Sequence, residues 1–143
     1  MRWLIGLTLY LLFPMQTVLG IEIGLSIGTT NIRATIANTT SSRRQGLMNT
    51  SELCSNCGML FIFPQEAEYK FWMKNTPLPL SIAFIAADCS ILKIDEMQPN
   101  TTTNHSTVGN YLYALEMNTE WFADHNIKPN ECVLGLHLAP RAE

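Results

Sequence analysis

Cys54-Ser55-Asn56-Cys57 has the spacing of a redox motif, and Tyr69-Lys70-Phe71-Trp72-Met73-Lys74-Asn75-Thr76-Pro77 is the densest run of chemistry-bearing side chains in the sequence. A thiol pair so spaced can exchange electrons, hold a soft metal or close a small loop. A reactive thiolate needs a helix N-terminus or a nearby positive charge. This pair leads instead into the apolar run that begins Gly58-Met59, so a loop-stapling disulfide is the expected role. Zinc would require Cys89 and Cys132 to arrive from distant segments, and no metal site is expected. In the second run an extended backbone turns Phe71 and Met73 one way and Trp72 and Lys74 the other. A tryptophan beside a lysine, entering a proline-stiffened loop, can wall a polar pocket with the ring as platform and the ammonium as anion anchor. The plainer alternative has Trp72 covering the end of the core, Lys74 snorkelling over it and Asn75 satisfying turn amides.

Two further residues join this candidate set. Arg43, with Arg44, falls at an expected helix start, where the dipole disfavours a cation; that misfit suggests a carboxylate partner or a bound anion, with a solvated charge pair as the equal alternative. Glu116 shares its strand face with Leu112 and Ala114. If that face is buried the carboxylate needs a partner, and Arg43 or Lys74 is the expected one. His105, His125 and His137 form no ligand-spaced pair, and the scattered methionines are core filler. No glycine-rich phosphate loop, serine elbow or paired acidic motif is present.

The elements that must position these residues are short. Ile21, Ile23, Leu25 and Ile27 alternate with polar or small residues, and Asn31 to Ala37 repeats the pattern, which predicts a hairpin turning at Gly28-Thr29-Thr30. Ser42 and Gln45 can form a capping box for a short helix through Leu47 and Met48, weakened by Gly46. Gly58 to Phe63 reads as a strand ended by Pro64, followed by a turn at Gln65 to Glu68 and a strand at Tyr69 to Met73. Pro77 and Pro79 make a rigid connection. Ile82 to Ala87 and Ile91 to Met97 read as strands across Asp88-Cys89-Ser90, and Gln98 to Asn110 as a loop. Tyr111 to Met117 is a strand, Thr119 to Asn126 a helix capped by Asn118, and Cys132 to Leu138 the last strand. The fold class is therefore α+β, predominantly antiparallel β-sheet curling toward a barrel, with two short helices.

Composition bounds the rest. Nine Lys and Arg against twelve Asp and Glu, a net charge of -3, argue against nucleic acid as a partner, because phosphate binding needs clustered cations. Met1-Arg2-Trp3, the uncharged run Leu4 to Phe13 and the small-residue end at Gly20 match a secretory leader. Residues 1–20 are thus a signal peptide cleaved after Gly20 or, uncleaved, an N-terminal anchor and the chain's one membrane contact. Residues 21–143 form a single domain. Export, to a periplasmic or extracellular space, puts four cysteines where disulfides persist. Three pairings exist; proximity favours Cys54 with Cys57, which leaves Cys89 with Cys132.

Arg43-x-x-Gly46-Leu47-Met48, Gly58-Met59-Leu60-Phe61-x-Phe63, Phe71-Trp72-Met73-Lys74-Asn75-Thr76-x-x-Pro79-Leu80-x-Ile82-x-Phe84 and Tyr113-x-Leu115-Glu116 resemble the domain of unknown function family numbered 192. The resemblance spans about residues 30 to 136. It implies a small, β-rich, often exported or membrane-anchored domain, and a single spatial cluster of Arg43, Trp72, Lys74, Asn75 and Glu116. The chain departs from the family pattern at Ser81, where an aspartate is common, and at Cys54, Cys57 and Cys89.

Three functional readings follow. One is a domain that binds a small polar or anionic ligand, or an envelope protein, through the Trp72 and Lys74 surface, with no cofactor. Another is an envelope hydrolase using Glu116 with Lys74 or Arg43 as acid and base. A purely structural domain, with these residues buried and mutually satisfied, is the third reading.

Overall fold

The computed structural model describes residues 20–107 and 109–143; the leader assigned to residues 1–20 lies outside the described residues apart from Gly20. Strands β1 (Glu22–Ile27) and β2 (Thr30–Ala37) form the expected hairpin, from Glu22 opposite Thr35 to Ile27 opposite Thr30. Leu25, Ile27, Ile32, Ala34 and Ile36 are buried on one face of it, as the two-residue alternation requires, and Ala37 is buried on the other. Gly28 turns the chain at φ +57°.

Helix α1 (Thr40–Gln45) starts one turn earlier than its sequence suggests. Thr39, not Ser42, is the N-cap: its hydroxyl accepts the Ser42 amide, and Ser42 Oγ accepts the Thr39 amide. Threonine and serine complete a capping box as well as the Ser42–Gln45 pair would have. The shift corrects the reading of Arg43 and Arg44, which stand in the last turn, where the dipole favours cations. Gly46 ends the helix at φ +46° and donates its amide to the Ser42 carbonyl. It terminates the helix rather than weakening its interior.

Through α1 the chain crosses over to β3 (Cys57–Ala67), which pairs parallel to β2 with Arg33 opposite Cys57. This strand does not stop at Pro64. Its ladder with β6 (Tyr111–Asn118) shifts register between Ile62 and Ala67, so the missing proline amide falls in an irregular stretch. The expected turn at Gln65 to Glu68 is consequently strand through Ala67. Tyr69 to Met73, expected as a strand, makes only a single bridge, Phe71 with His105. Strands β4 (Leu80–Ile85) and β5 (Ile91–Met97) form the second hairpin, and β4 is buried at every position because it lies between β5 and β6.

Two C-terminal expectations are also corrected. Helix α2 (Trp121–Asp124) is four residues long, with Glu120 in left-handed backbone at its start and no side-chain cap. Asn118 does not cap it; its amide donates to the Cys54 and Leu53 carbonyls. The last strand, β7 (Val133–Leu134), is cut short by Gly135 at φ +96° and a 3-10 turn at Leu136–Leu138.

The seven strands run in the order β5-β4-β6-β3-β2-β1-β7, antiparallel except at β2 and β3, and the sheet curls into a half-barrel. Its two ends are drawn together where Ile91 and Val133 donate to the Glu131 and Cys89 carbonyls. The Cys89–Cys132 disulfide crosses the same seam. One face of the sheet buries Leu25, Ile27, Leu60, Ile85 and Leu115 beneath Trp121, Phe122, Ile127 and Leu136. The opposite face buries Phe61, Phe63, Ile82, Phe84 and Ala114 beneath Leu47, Phe71 and Met73.

Candidate functional site

The second face is only partly roofed. Between the C-terminal end of α1 and the segment Tyr69–Trp72 a cleft of about 320 Å³ reaches down to β3 and β6. Arg43, Trp72 and Glu116 line it; Lys74 and Asn75 do not. The roof is held from outside by backbone bonds: Phe71 and His105 exchange amide and carbonyl, Met73 donates to the Thr101 carbonyl, and Asn100 donates to that of Thr76. This bracing alternates the side chains as expected. Phe71 and Met73 are buried, while Trp72 stays 47% exposed at the mouth.

Glu116 forms part of the cleft wall and is only 4% exposed. Strand register places Met59 of β3 on one side of it and Ile82 of β4 on the other. Gly58 permits this approach: a Cβ there would strike the Glu116 carbonyl and the Met117 sulfur. The expected cationic partner is absent. Ion pairs among the described residues join Arg33 to Glu22, and Lys93 and His105 to Asp95; neither Arg43 nor Lys74 reaches Glu116. Burial with no compensating charge pushes the Glu116 carboxyl up to about 8, since a low-dielectric wall disfavours the ionised form. No fully buried side-chain oxygen or nitrogen is left without a partner among the described residues. A carboxyl lining the cleft with no charged partner therefore keeps its polar end toward that space. At neutral pH it is predominantly protonated, a hydrogen-bond donor as well as an acceptor.

Arg43 has a different occupation. Its guanidinium donates to the carbonyls of Asn38, Ile62 and Glu143 and lies 5.8 Å from the centroid of the Phe63 ring. It clamps the end of β2, the middle of β3 and the C-terminal segment together, which leaves little of its donor capacity for a ligand. Lys74 sits 5.4 Å from the Trp72 ring centroid on the outer surface. Asn75 takes φ +53° in a turn, and its backbone carbonyl accepts the Asn49 amide.

Two further cations line the cleft, Arg44 and Lys70, both exposed. Sequence reasoning left them out of the site. Lys70 had a usable signal, because it shares the outward phase of Trp72 and Lys74; Arg44 had none beyond adjacency to Arg43. Below them Phe63 stacks on Tyr69 at 3.7 Å between centroids, and Phe61 meets Phe71 edge-on at 4.9 Å. Tyr111 donates its hydroxyl to the Tyr69 carbonyl, and burial pushes its phenol up. The site is thus an aromatic cleft with a neutral carboxyl within and cations outside. Ser81, the departure from the family pattern, does not line it. Its hydroxyl donates to Glu96, which also accepts from the Thr119 hydroxyl and the Glu120 amide.

The cysteines pair as proximity favoured, Cys54 with Cys57 and Cys89 with Cys132. One aspect of their setting was misread: a positive charge does stand beside the first pair, with Arg33 Nη2 3.3 Å from Cys57 Sγ and 3.7 Å from Cys54 Sγ. The parallel pairing of β2 with β3 brings it there. No group of three or more His, Cys, Asp or Glu among the described residues is arranged to hold a metal, and no described helix is long and apolar enough to cross a membrane.

Among solved structures the chain is similar to a protein of unknown function from Novosphingobium aromaticivorans, with 31% identity and a TM-score of 0.76 over 78% of this chain and 84% of that one. It is also similar to a Sinorhizobium meliloti protein described as a candidate transcription regulator, with 27% identity and a TM-score of 0.73 over 78% and 90%. No curated protein matches. The family model of the uncharacterised DUF192 proteins (Uncharacterized ACR) matches residues 23–134, most of the described domain. The chain belongs to the DUF192 family.

Proposed function

We propose that this chain is an exported domain that binds one small ligand with an apolar body and an anionic or hydrogen-bond-accepting end in the cleft beside Glu116. The observation that carries the reading is a carboxyl walled by apolar neighbours yet lining an open concavity. Burying such a group without a charged partner is costly, and a ligand that accepts its proton in a hydrogen bond offsets that cost. Arg44 and Lys70 suit the negative end of the ligand, and the Phe61, Phe63 and Phe71 rings suit its body. A cavity of about 320 Å³ is at the small end of the usual range for such sites. Export is supported by the sequence of residues 1–20 and by two disulfides, which persist in oxidising compartments.

A hydrolase using Glu116 with Lys74 or Arg43 is less well supported, because Lys74 does not line the cleft and Arg43 is occupied with carbonyls. The description of the Sinorhizobium protein is not extended to this chain, whose net charge of -3 is poorly suited to DNA. Native mass spectrometry of protein purified from its own cell envelope tests the proposal. The expected result is a small adduct that is lost in Glu116→Leu and Trp72→Ala and retained in Lys74→Ala. A bare protein mass, or an adduct that survives Glu116→Leu, overturns it.

A further inference from the structure

The two disulfides differ in what surrounds them. Cys54 is exposed and Cys57 half-buried, and the loop between them is held without help from the sulfur bridge. Cys57 donates its amide to the Cys54 carbonyl, Arg33 donates its amide to the Asn56 carbonyl, and Asn118 donates its side-chain amide to the Cys54 carbonyl at 3.0 Å. The Trp121 indole N–H reaches Asn56 Oδ1 at 3.0 Å. One hydrogen bond within the loop and three from β2, β6 and α2 fix it, so the covalent bond can open and close without refolding it. Arg33 Nη2 lies within 3.7 Å of both sulfurs. The Glu22 carboxylate meets the same guanidinium at Nε, 3.5 Å away, which leaves Nη2 toward the sulfurs.

We infer that Cys54–Cys57 is a thiol–disulfide exchange site, taking two electrons from a dithiol partner and returning them to a partner disulfide. The inference is independent of the cleft. In the reducing direction a partner thiolate attacks the exposed Cys54 Sγ. The bond to Cys57 breaks and its electron pair leaves on Cys57 Sγ, where Arg33 stabilises the thiolate. The partner's second thiolate then attacks its own sulfur in the mixed disulfide. Cys54 is released and protonated, and the partner departs as a disulfide. Each thiolate retains its charge or takes a proton from solvent, so two thiols and one disulfide are exchanged for one disulfide and two thiols. Cys89–Cys132 lacks these features. It crosses the seam of the sheet, with Cys89 packed against the core, and it stays closed.

Equilibration of the folded, oxidised protein in graded reduced and oxidised glutathione, followed by acid quench, alkylation and peptide mass mapping, tests this. Cys54–Cys57 is expected to open while Cys89–Cys132 stays closed and the far-ultraviolet circular dichroism stays unchanged. An opposite charge within hydrogen-bonding reach lowers an acid's pKa by about one unit or more. Arg33→Gln is therefore expected to need about tenfold stronger reducing conditions and to slow alkylation of Cys57 at neutral pH by about tenfold, with Arg33→Lys in between. Opening of Cys89–Cys132 first or together with the other pair, loss of the circular dichroism signal on opening Cys54–Cys57, or an Arg33→Gln titration superimposed on wild type overturns it.

Discussion

The two faces of the sheet are built from the same alternating strands and end differently. The face under α2 is closed: Trp121, Phe122, Ile127 and Leu136 lie over Leu25, Leu60, Ile85 and Leu115, and the buried hydroxyl of Ser81 is matched by Glu96. The face under α1 carries more rings and a carboxyl and is left open along one edge. The difference teaches where to look for function. Apolar layers close because burying them is favourable and non-directional, whereas a partnerless acid beside an open cleft opposes stability and calls for a ligand to explain it.

Large effects are expected on the closed face. Phe122 is 1% exposed, and Phe122→Ala is expected to cost about 3 to 5 kcal/mol by denaturant titration. Phe71, at 9% exposure beside the cleft, should cost roughly 1 kcal/mol less on the same substitution, because water entering from the cleft can fill the vacated space. Equal costs would erase the comparison. The disulfides sharpen it next. Cys89–Cys132 closes 43 residues, so its removal by paired serine substitution should cost about 4 kcal/mol on the chain-entropy account. Cys54–Cys57 closes three and should cost about 1.6 kcal/mol on the same account. Comparable melting temperatures for the two double variants would contradict this.

Glu116 supplies the next effect, and its sign is fixed by its environment. Burial pushes its folded carboxyl up to about 8 from the ordinary 4.5, so between those values the native state holds a proton that the unfolded chain has released. Stability from this group therefore falls as pH rises through the window, by about 1.4 kcal/mol per unit, and is level outside it. Glu116→Gln cannot ionise and should lose that slope, matching wild type near pH 4.5 and exceeding it at pH 8. Parallel stability curves would show that the carboxyl is ionised in the fold. The smallest effect belongs to Lys74. Its contact with Trp72 is exposed, and Lys74→Ala should change stability by about 0.5 kcal/mol.

What was legible in the sequence follows from which interactions are local. The β1–β2 hairpin, the β4–β5 hairpin and the nearby cysteine pair are set by neighbours in the chain, and periodicity or proximity found all three. The strand through Pro64 was missed because the register shift that tolerates it is made with β6, about fifty residues away. The helix caps were missed because several hydroxyls compete within a few residues, and Asn118 found better partners in the Leu53 and Cys54 carbonyls. In the site, the family resemblance implied one cluster of Arg43, Trp72, Lys74, Asn75 and Glu116, of which Lys74 and Asn75 do not line the cleft. It could not say that Arg43 spends its donors on three carbonyls or that Arg44 and Lys70 face the cleft. The placement of Arg43 and Arg44 follows from where α1 ends, which depends on the cap three residues upstream of the expected one.

The most direct measurement is a carboxyl carbon-13 nuclear magnetic resonance titration of Glu116 in the folded protein, assigned by comparison with Glu116→Gln. A midpoint near 8, as the apolar wall of the cleft requires, is the expected result. A midpoint near the ordinary value of 4.5 would mean that the carboxyl has a partner or free water, and that the open face is not the uncompensated site described.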